Sequence, residues 1–258
     1  MSPSPGRRLL NHAPAAALAL AVLAAWEVAV VALRVPDIIL PAPSRIAASF
    51  VDPSVNWPYH VAVTAFEVAT GFAVAVVLGI ALAVGIVMSP TLARVLLPWV
   101  LLAQIMPKIA FAPILFIMLG YNLLPSIIIT FLVAFFPMVI DTTTGLSSVD
   151  PRMKDLLRSF QGSRWDVLRK AQFPASLPFV FSGLKVSSTL AVVGANVAEF
   201  VSARAGLGFL IINAQVTFNA SLAFAAAAYL ILMGVAFYGL IAAVERWAMP
   251  WAAVHRVA

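Results

Sequence analysis

The chain alternates between long apolar stretches and short polar interruptions. Six apolar runs stand out, near Ala15–Leu33, Val61–Met88, Leu92–Leu119, Leu124–Asp141, Pro178–Phe200 and Leu222–Val244. A helix that crosses a bilayer needs about 20 mostly apolar residues at a rise of about 1.5 Å each. The pattern therefore predicts an all-α integral membrane protein with about six transmembrane helices. Pro98, Pro107 and Pro113 fall in the third run, so that span should be kinked or broken. In the second run Gly71, Ala75, Gly79 and Ala83 recur every four residues. Such a stripe of small side chains lets another helix backbone approach closely.

The interruption between the fourth and fifth runs is different in kind. Asp150-Pro151 is a helix start, with a capping side chain followed by proline at the first helical position. Met153, Leu156, Leu157 and Phe160 then share one helical face, and Gln161-Gly162 breaks the pattern. Ser163 and Asp166 have the spacing of a second cap, and Trp165 and Leu168 continue an apolar face. Pro174 and Pro178 should end this element before the fifth run. The segment reads as two short amphipathic helices joined at Gly162. Between Asp150 and Gln172 it carries six positive and three negative side chains. On these residues alone it is either an interfacial helix held by anionic lipid or a docking element for a cytoplasmic partner, since both need an apolar face with a charged rim.

Composition strengthens the membrane reading. The 258 residues are 63% hydrophobic and 10% charged, with a mean hydropathy of +1.02. Soluble domains carry about a quarter charged residues, so this chain cannot clothe a water-facing surface. Cysteine is absent, which excludes disulfides and thiolate metal sites. The net charge of +6 is a topology signal rather than a nucleic-acid footprint. With the N-terminus inside, eleven Lys and Arg face the cytoplasm and only Arg34, Arg45 and Arg204 face outward. That asymmetry places both termini and the basic loop in the cytoplasm. The basic start and apolar run of the first 26 residues look like a signal peptide, but the run continues to Leu33, as expected of a retained first helix. Residues 1–14 are then a cytoplasmic tail, 15–247 a transmembrane domain containing the loop at 150–177, and 248–258 a second cytoplasmic tail.

The loop resembles the conserved cytoplasmic loop of ABC-importer permeases, E-A-A, three residues, G, nine residues, I-x-L-P. Asp155 falls on the Glu, Leu156 and Leu157 on the alanines, Gln161 on the glycine, and Ala171, Phe173 and Pro174 on I, L and P. Only the proline is identical, and Gly162 lies one place late. The flank GSRWDVLRKAQFPASLPFVFSGLKV, with ILPAPSRI, MPKIAFAPILFIMLG, AFFPMVIDTTTGL and AEF followed by AGLGFLI, is similar to the nitrate, sulfonate and taurine subgroup of these permeases, in the same order over roughly residues 36–215. The resemblance implies a type I ABC importer permease, a homodimer in the bacterial inner membrane. Two cytoplasmic ATPase subunits and an external substrate-binding protein would be its partners. It makes the loop a coupling helix, with Asp155, Leu156, Leu157, Arg158, Phe160, Gly162, Arg164, Trp165 and Pro174 meeting the ATPase. The two leucines would make a bulky docking face, and Gly162 would supply the permissive backbone that Gln161 lacks.

Chemistry is expected elsewhere. No G-x-x-x-x-G-K-[ST], HExxH or G-x-S-x-G occurs, so the chain lacks a phosphate-cradling loop and a catalytic or metal-ligating set. ATP and Mg would belong to the partner. His60, beside Trp57 and Tyr59, reads as an interfacial belt residue. Charges inside spans are expensive and mark pathways or buried pairs. Lys108 and Lys185 are candidates for either role, and both would attract an anionic solute. Asn196 and Glu199 approach the outer end of the fifth run. The resemblance places Glu199, with Gly206 and Gly208, near the outer gate, and a salt bridge from Glu199 to Arg204 is the alternative. Glu27 and Glu67 read as snorkelling or packing residues. Relatives in the subgroup also carry pyrimidine precursors and other heterocycles, so the solute stays open between anion and heterocycle. The competing class is an ion-driven secondary transporter, which should show an internal repeat and a midplane carboxylate. Neither is present in the sequence.

Overall fold

In the computed structural model, which describes residues 5–202 and 204–250, every regular element is helical. The α-helices are α1 (Pro5–Ala32), α2 (Pro43–Ser49), α3 (Trp57–Met88), α4 (Pro90–Ile105), α5 (Ala112–Leu119) and α6 (Leu123–Ser147). They continue as α7 (Pro151–Ser159), α8 (Arg164–Val167), α9 (Phe173–Ser202), α10 (Leu207–Val216) and α11 (Ala220–Ala248). The all-α expectation holds. Among the described residues α3, α6, the continuous stretch Arg164–Val201 and α11 are long and apolar enough to cross a membrane, and α4 with α5 forms a fifth, broken span. The apolar part of α1, Ala17–Ala32, is shorter than these. Its helix begins at Pro5, inside the expected N-terminal tail. The expected C-terminal tail beyond Pro250 lies outside the described residues.

The third span breaks where its prolines require. Proline pushes the residue before it out of the helical region, and Met106, ahead of Pro107, is extended at φ −60°, ψ 135°. A single 3₁₀ turn, Lys108–Phe111, joins α4 to α5 at a bend of 81°. Pro98 sits inside α4 without ending it.

The expectation that Pro174 and Pro178 end an element fails. Helix α8 runs through a π turn at Leu168–Gln172 directly into α9, which contains both prolines. Proline lacks the N–H for the regular ladder, and a single π turn inside a helix is a rare local adjustment of that ladder. Gln172 Nε2 also donates to Leu146 O at 3.0 Å, pinning the turn to the end of α6.

The chain divides into two units. The first takes the chain up to Trp57 together with Leu210–Ala228. Within it Glu27 of α1 accepts from Ser44 N–H (3.0 Å) and Ser44 Oγ–H (2.7 Å) in the first turn of α2, so it is a helix cap rather than a snorkelling side chain. Trp26 packs its ring against Phe224, with centroids 5.9 Å apart, and Trp57 Nε1–H donates to Ser49 O at 3.1 Å.

The second unit comprises Pro58–Phe209 and the chain from Tyr229, and α6 is its axis. Ile129, Ala134, Met138, Val139 and Leu146 of α6 are fully buried. The small-residue stripe of α3 does meet another helix closely: a Cβ on Gly71 would stand 3.0 Å from Ile127 O of α6, and one on Gly79 3.0 Å from Met138 Cβ. Ala75 and Ala83, between and below them, have no exposed surface. Gly145 of α6 and Gly183 and Gly194 of α9 allow the same close approach on the other side.

Candidate functional sites, a basic loop and a buried latch

Local rules shape the basic loop. Asp150 accepts from Arg152 N–H at 2.8 Å and starts α7. Ser163 and Asp166 form a full capping box at the start of α8. Between them the chain reverses in a Schellman motif: Gln161 N–H donates to Arg158 O (2.9 Å) and Gly162 N–H to Leu157 O (3.0 Å). The residue in the left-handed conformation is Gln161, at φ +59°, which corrects the expectation that Gly162 would supply it. Gly162 is needed for another reason, because a Cβ there would sit 2.6 Å from Leu157 O.

The expected docking residues are presented rather than packed away. Met153, Leu156, Phe160 and Trp165 are exposed large apolar side chains, Phe160 at 78%, and Asp155, Arg158 and Arg164 are exposed beside them. Leu157 and Gly162 are half-buried, and exposed Pro174 lies in the first turn of α9. Asp155 and Arg158 pair loosely at 3.4 Å, an exposed contact worth little. Arg164 reaches back to Met88 O at 3.5 Å, joining the loop to the end of α3. A cavity of about 410 Å³ behind the loop is lined by Met88, Pro90, Thr143, Lys154, Arg158 and Arg164, among others.

The intramembrane cations are already engaged. Lys185 Nζ lies 2.5 Å from Glu245 Oε2 of α11, with side-chain exposures of 15% and 7%. Glu245 escaped the sequence reading, although it is the sole carboxylate of α11 and a buried lysine needs a counter-ion. Lys108 Nζ donates to Gln104 O at 2.9 Å and sits 4.5 Å from the Phe136 ring centroid. It thus serves a carbonyl left without its helical donor at the end of α4, where cations are favoured.

At the other end of α3 a buried latch holds the turn between α9 and α10. Gly206 N–H donates to His60 Nδ1 (3.1 Å), Leu207 N–H to Thr64 Oγ1 (2.8 Å) and Gly208 N–H to Glu199 Oε2 (2.5 Å). These are among the donors that the start of a helix leaves without internal partners. Thr64 Oγ1–H in turn donates to Glu199 Oε1 at 2.6 Å. Glu199 and Glu67 are each 1% exposed, and the Glu67 carboxyl lies against Glu199 and Ser126. Gly206 takes φ +111°, and a Cβ there would run into the Glu199 carboxyl. A Cβ on Gly208 would stand 2.7 Å from Asn196 O, while Asn196 Oδ1 is buried without a partner among the described residues.

Two expectations change. Glu199 does not pair with Arg204, whose guanidinium instead stands 5.6 Å from the Tyr121 ring. Glu67 is buried, as the packing half of its expected role requires. His60 is a latch residue stacked on Phe209 at 6.0 Å and 11°. The missed signal was available, since His60, Thr64 and Glu67 continue the Gly71 stripe upward at helical spacing.

A broken span beside other membrane-crossing helices, with an exposed basic loop between two of them, describes a polytopic membrane protein. The family model described as "Binding-protein-dependent transport system inner membrane component" matches residues 75–249, and the chain belongs to that family. The riboflavin transport system permease protein RibX of Chloroflexus aurantiacus is 34% identical over 90% of this chain and 87% of its own length. The formylaminopyrimidine transport permease protein ThiX of Halalkalibacterium halodurans is 28% identical over 90% and 93%. The putative aliphatic sulfonates transport permease protein SsuC of Bacillus subtilis is 24% identical over 96% and 90%. The chain is therefore a multi-pass permease subunit of an ABC importer, which sets aside the secondary transporter.

Proposed function

We propose that the chain forms half of a homodimeric conduit in a bacterial inner membrane, with both termini in the cytoplasm. The observation that carries this reading is the exposed apolar face of α7 and α8, rimmed by Asp155, Arg158 and Arg164. An apolar face with a charged rim is the composition of a docking surface, and here it is continuous with a membrane-crossing helix. Two ATPase subunits would seat on this face in the two copies and supply ATP and Mg, and an external binding protein would deliver the solute. This chain would perform no chemistry; it gates and conducts. The latch of Glu199, Gly206 and Gly208, with Asn196 beside it, is the proposed outer gate.

The solutes in the relatives' names fall into nitrogen heterocycles and sulfonates, and the transported molecule is proposed to belong to one of these two groups. Lys185 and Lys108 give little support to the anion, because one is neutralised by Glu245 and the other hooks a backbone carbonyl. The test of coupling is to co-express the chain with its ATPase and replace Asp155→Lys. Co-purification and ATP-dependent uptake should both be lost. Uptake that continues without any ATPase would overturn the reading.

A further inference from the structure

A second cavity, of about 210 Å³, opens beside the latch in the Pro58–Phe209 unit. Its polar lining comes from Glu67 and Ser126, each 1% exposed. Phe116, Tyr59 and Tyr121 contribute aromatic surface, and Arg204 stands at the exposed rim over Tyr121. The Phe116 and Tyr121 rings are 6.0 Å apart, inclined at 32°. Glu67 Oε2 is buried and has no hydrogen-bond partner among the described residues. A buried polar atom without a partner is costly and rare, so this oxygen is an acceptor waiting for a donor.

We propose that this cavity is a binding site for a planar nitrogen heterocycle, whose ring lies against the aromatic side chains while an N–H group donates to Glu67. The proposal rests on the permease reading and narrows its solute. Aromatic walls favour a flat ring, since stacking on such faces is favourable. A carboxyl group accepts from an exocyclic amino group such as that of cytosine. A sulfonate or nitrate offers this oxygen no donor, and Glu199 beside it adds a second carboxyl. The volume is below that of pockets for drug-sized ligands, roughly 300–1,000 Å³, so a single ring is the matching size.

The test uses the full chain in lipid nanodiscs, titrated with 1-methylcytosine (the cytosine below), its N4,N4-dimethyl derivative and methanesulfonate, and read by saturation-transfer NMR. Cytosine should bind, the dimethyl compound at least about tenfold more weakly because it leaves the buried oxygen unpaired, and methanesulfonate not at all. Glu67→Ala should weaken cytosine by a similar factor. Tyr121→Leu, at an exposed rim position, should weaken it severalfold and decides the matter if Glu67→Ala does not fold. Equal binding of the two cytosines, a preference for methanesulfonate, unchanged binding in the folded variants, or a cavity that takes water and no probe would each overturn the site. Loss of co-purification in Asp155→Lys with no cytosine binding in the parent chain would discard this site and leave the permease reading standing. Normal coupling in Asp155→Lys would instead discard the docking face proposed for the basic loop.

Discussion

At the scale of single residues, the sharpest constraint is Gly206. Its φ of +111° and the Glu199 carboxyl beside it leave no place for a side chain. Gly206→Ala should cost about 1–3 kcal/mol from the backbone conformation alone, seen as a lower thermal unfolding midpoint in detergent. The Lys185–Glu245 pair makes a different kind of prediction. Removing either partner leaves a buried charge and should destabilise by about 3–5 kcal/mol, whereas Lys185→Met with Glu245→Leu should recover most of the loss. The same unfolding assay distinguishes them. What the sequence made legible here was local: Asp150, Ser163 and Asp166 cap helices within three residues of themselves. The latch was hidden because Thr64 and Glu199 are 135 residues apart, and only the fold brings them together.

At the scale of elements, apolar run length located the long helices, and the prolines marked the break in the third. Run length could not show that α8 and α9 are one continuous helical path, because Pro174 and Pro178 carry a stop signal that the π turn absorbs. Nor could it reveal α10, an apolar helix of ten residues, too short to be read as a span. The end of α7 yields its own prediction. Gln161 occupies a left-handed position that costs an L-residue about 1–2 kcal/mol, while glycine loses about 0.5–1 kcal/mol in chain entropy. Gln161→Gly should therefore stabilise this turn by up to about 1.5 kcal/mol. Amide hydrogen exchange in residues 156–162 should slow, and faster exchange would contradict the assignment.

At the scale of the whole molecule, orientation is the property most open to direct measurement. The chain has no cysteine, so single introduced thiols report without interference. Phe160→Cys should react with a membrane-impermeant maleimide in inside-out vesicles and not in intact spheroplasts. Ser54→Cys, between α2 and α3, should show the opposite preference. Reversal of both would invert the topology drawn from the Lys and Arg distribution. The uninterrupted path Arg164–Val201 has one more consequence. At about 1.5 Å per residue its 38 residues span about 57 Å, with Trp165 at one tip and Glu199 near the other. The path runs unbroken through its π turn and both prolines, so a tilt at the Trp165 end should be felt at the Glu199 carboxyl, which holds the far turn through Gly208 N–H.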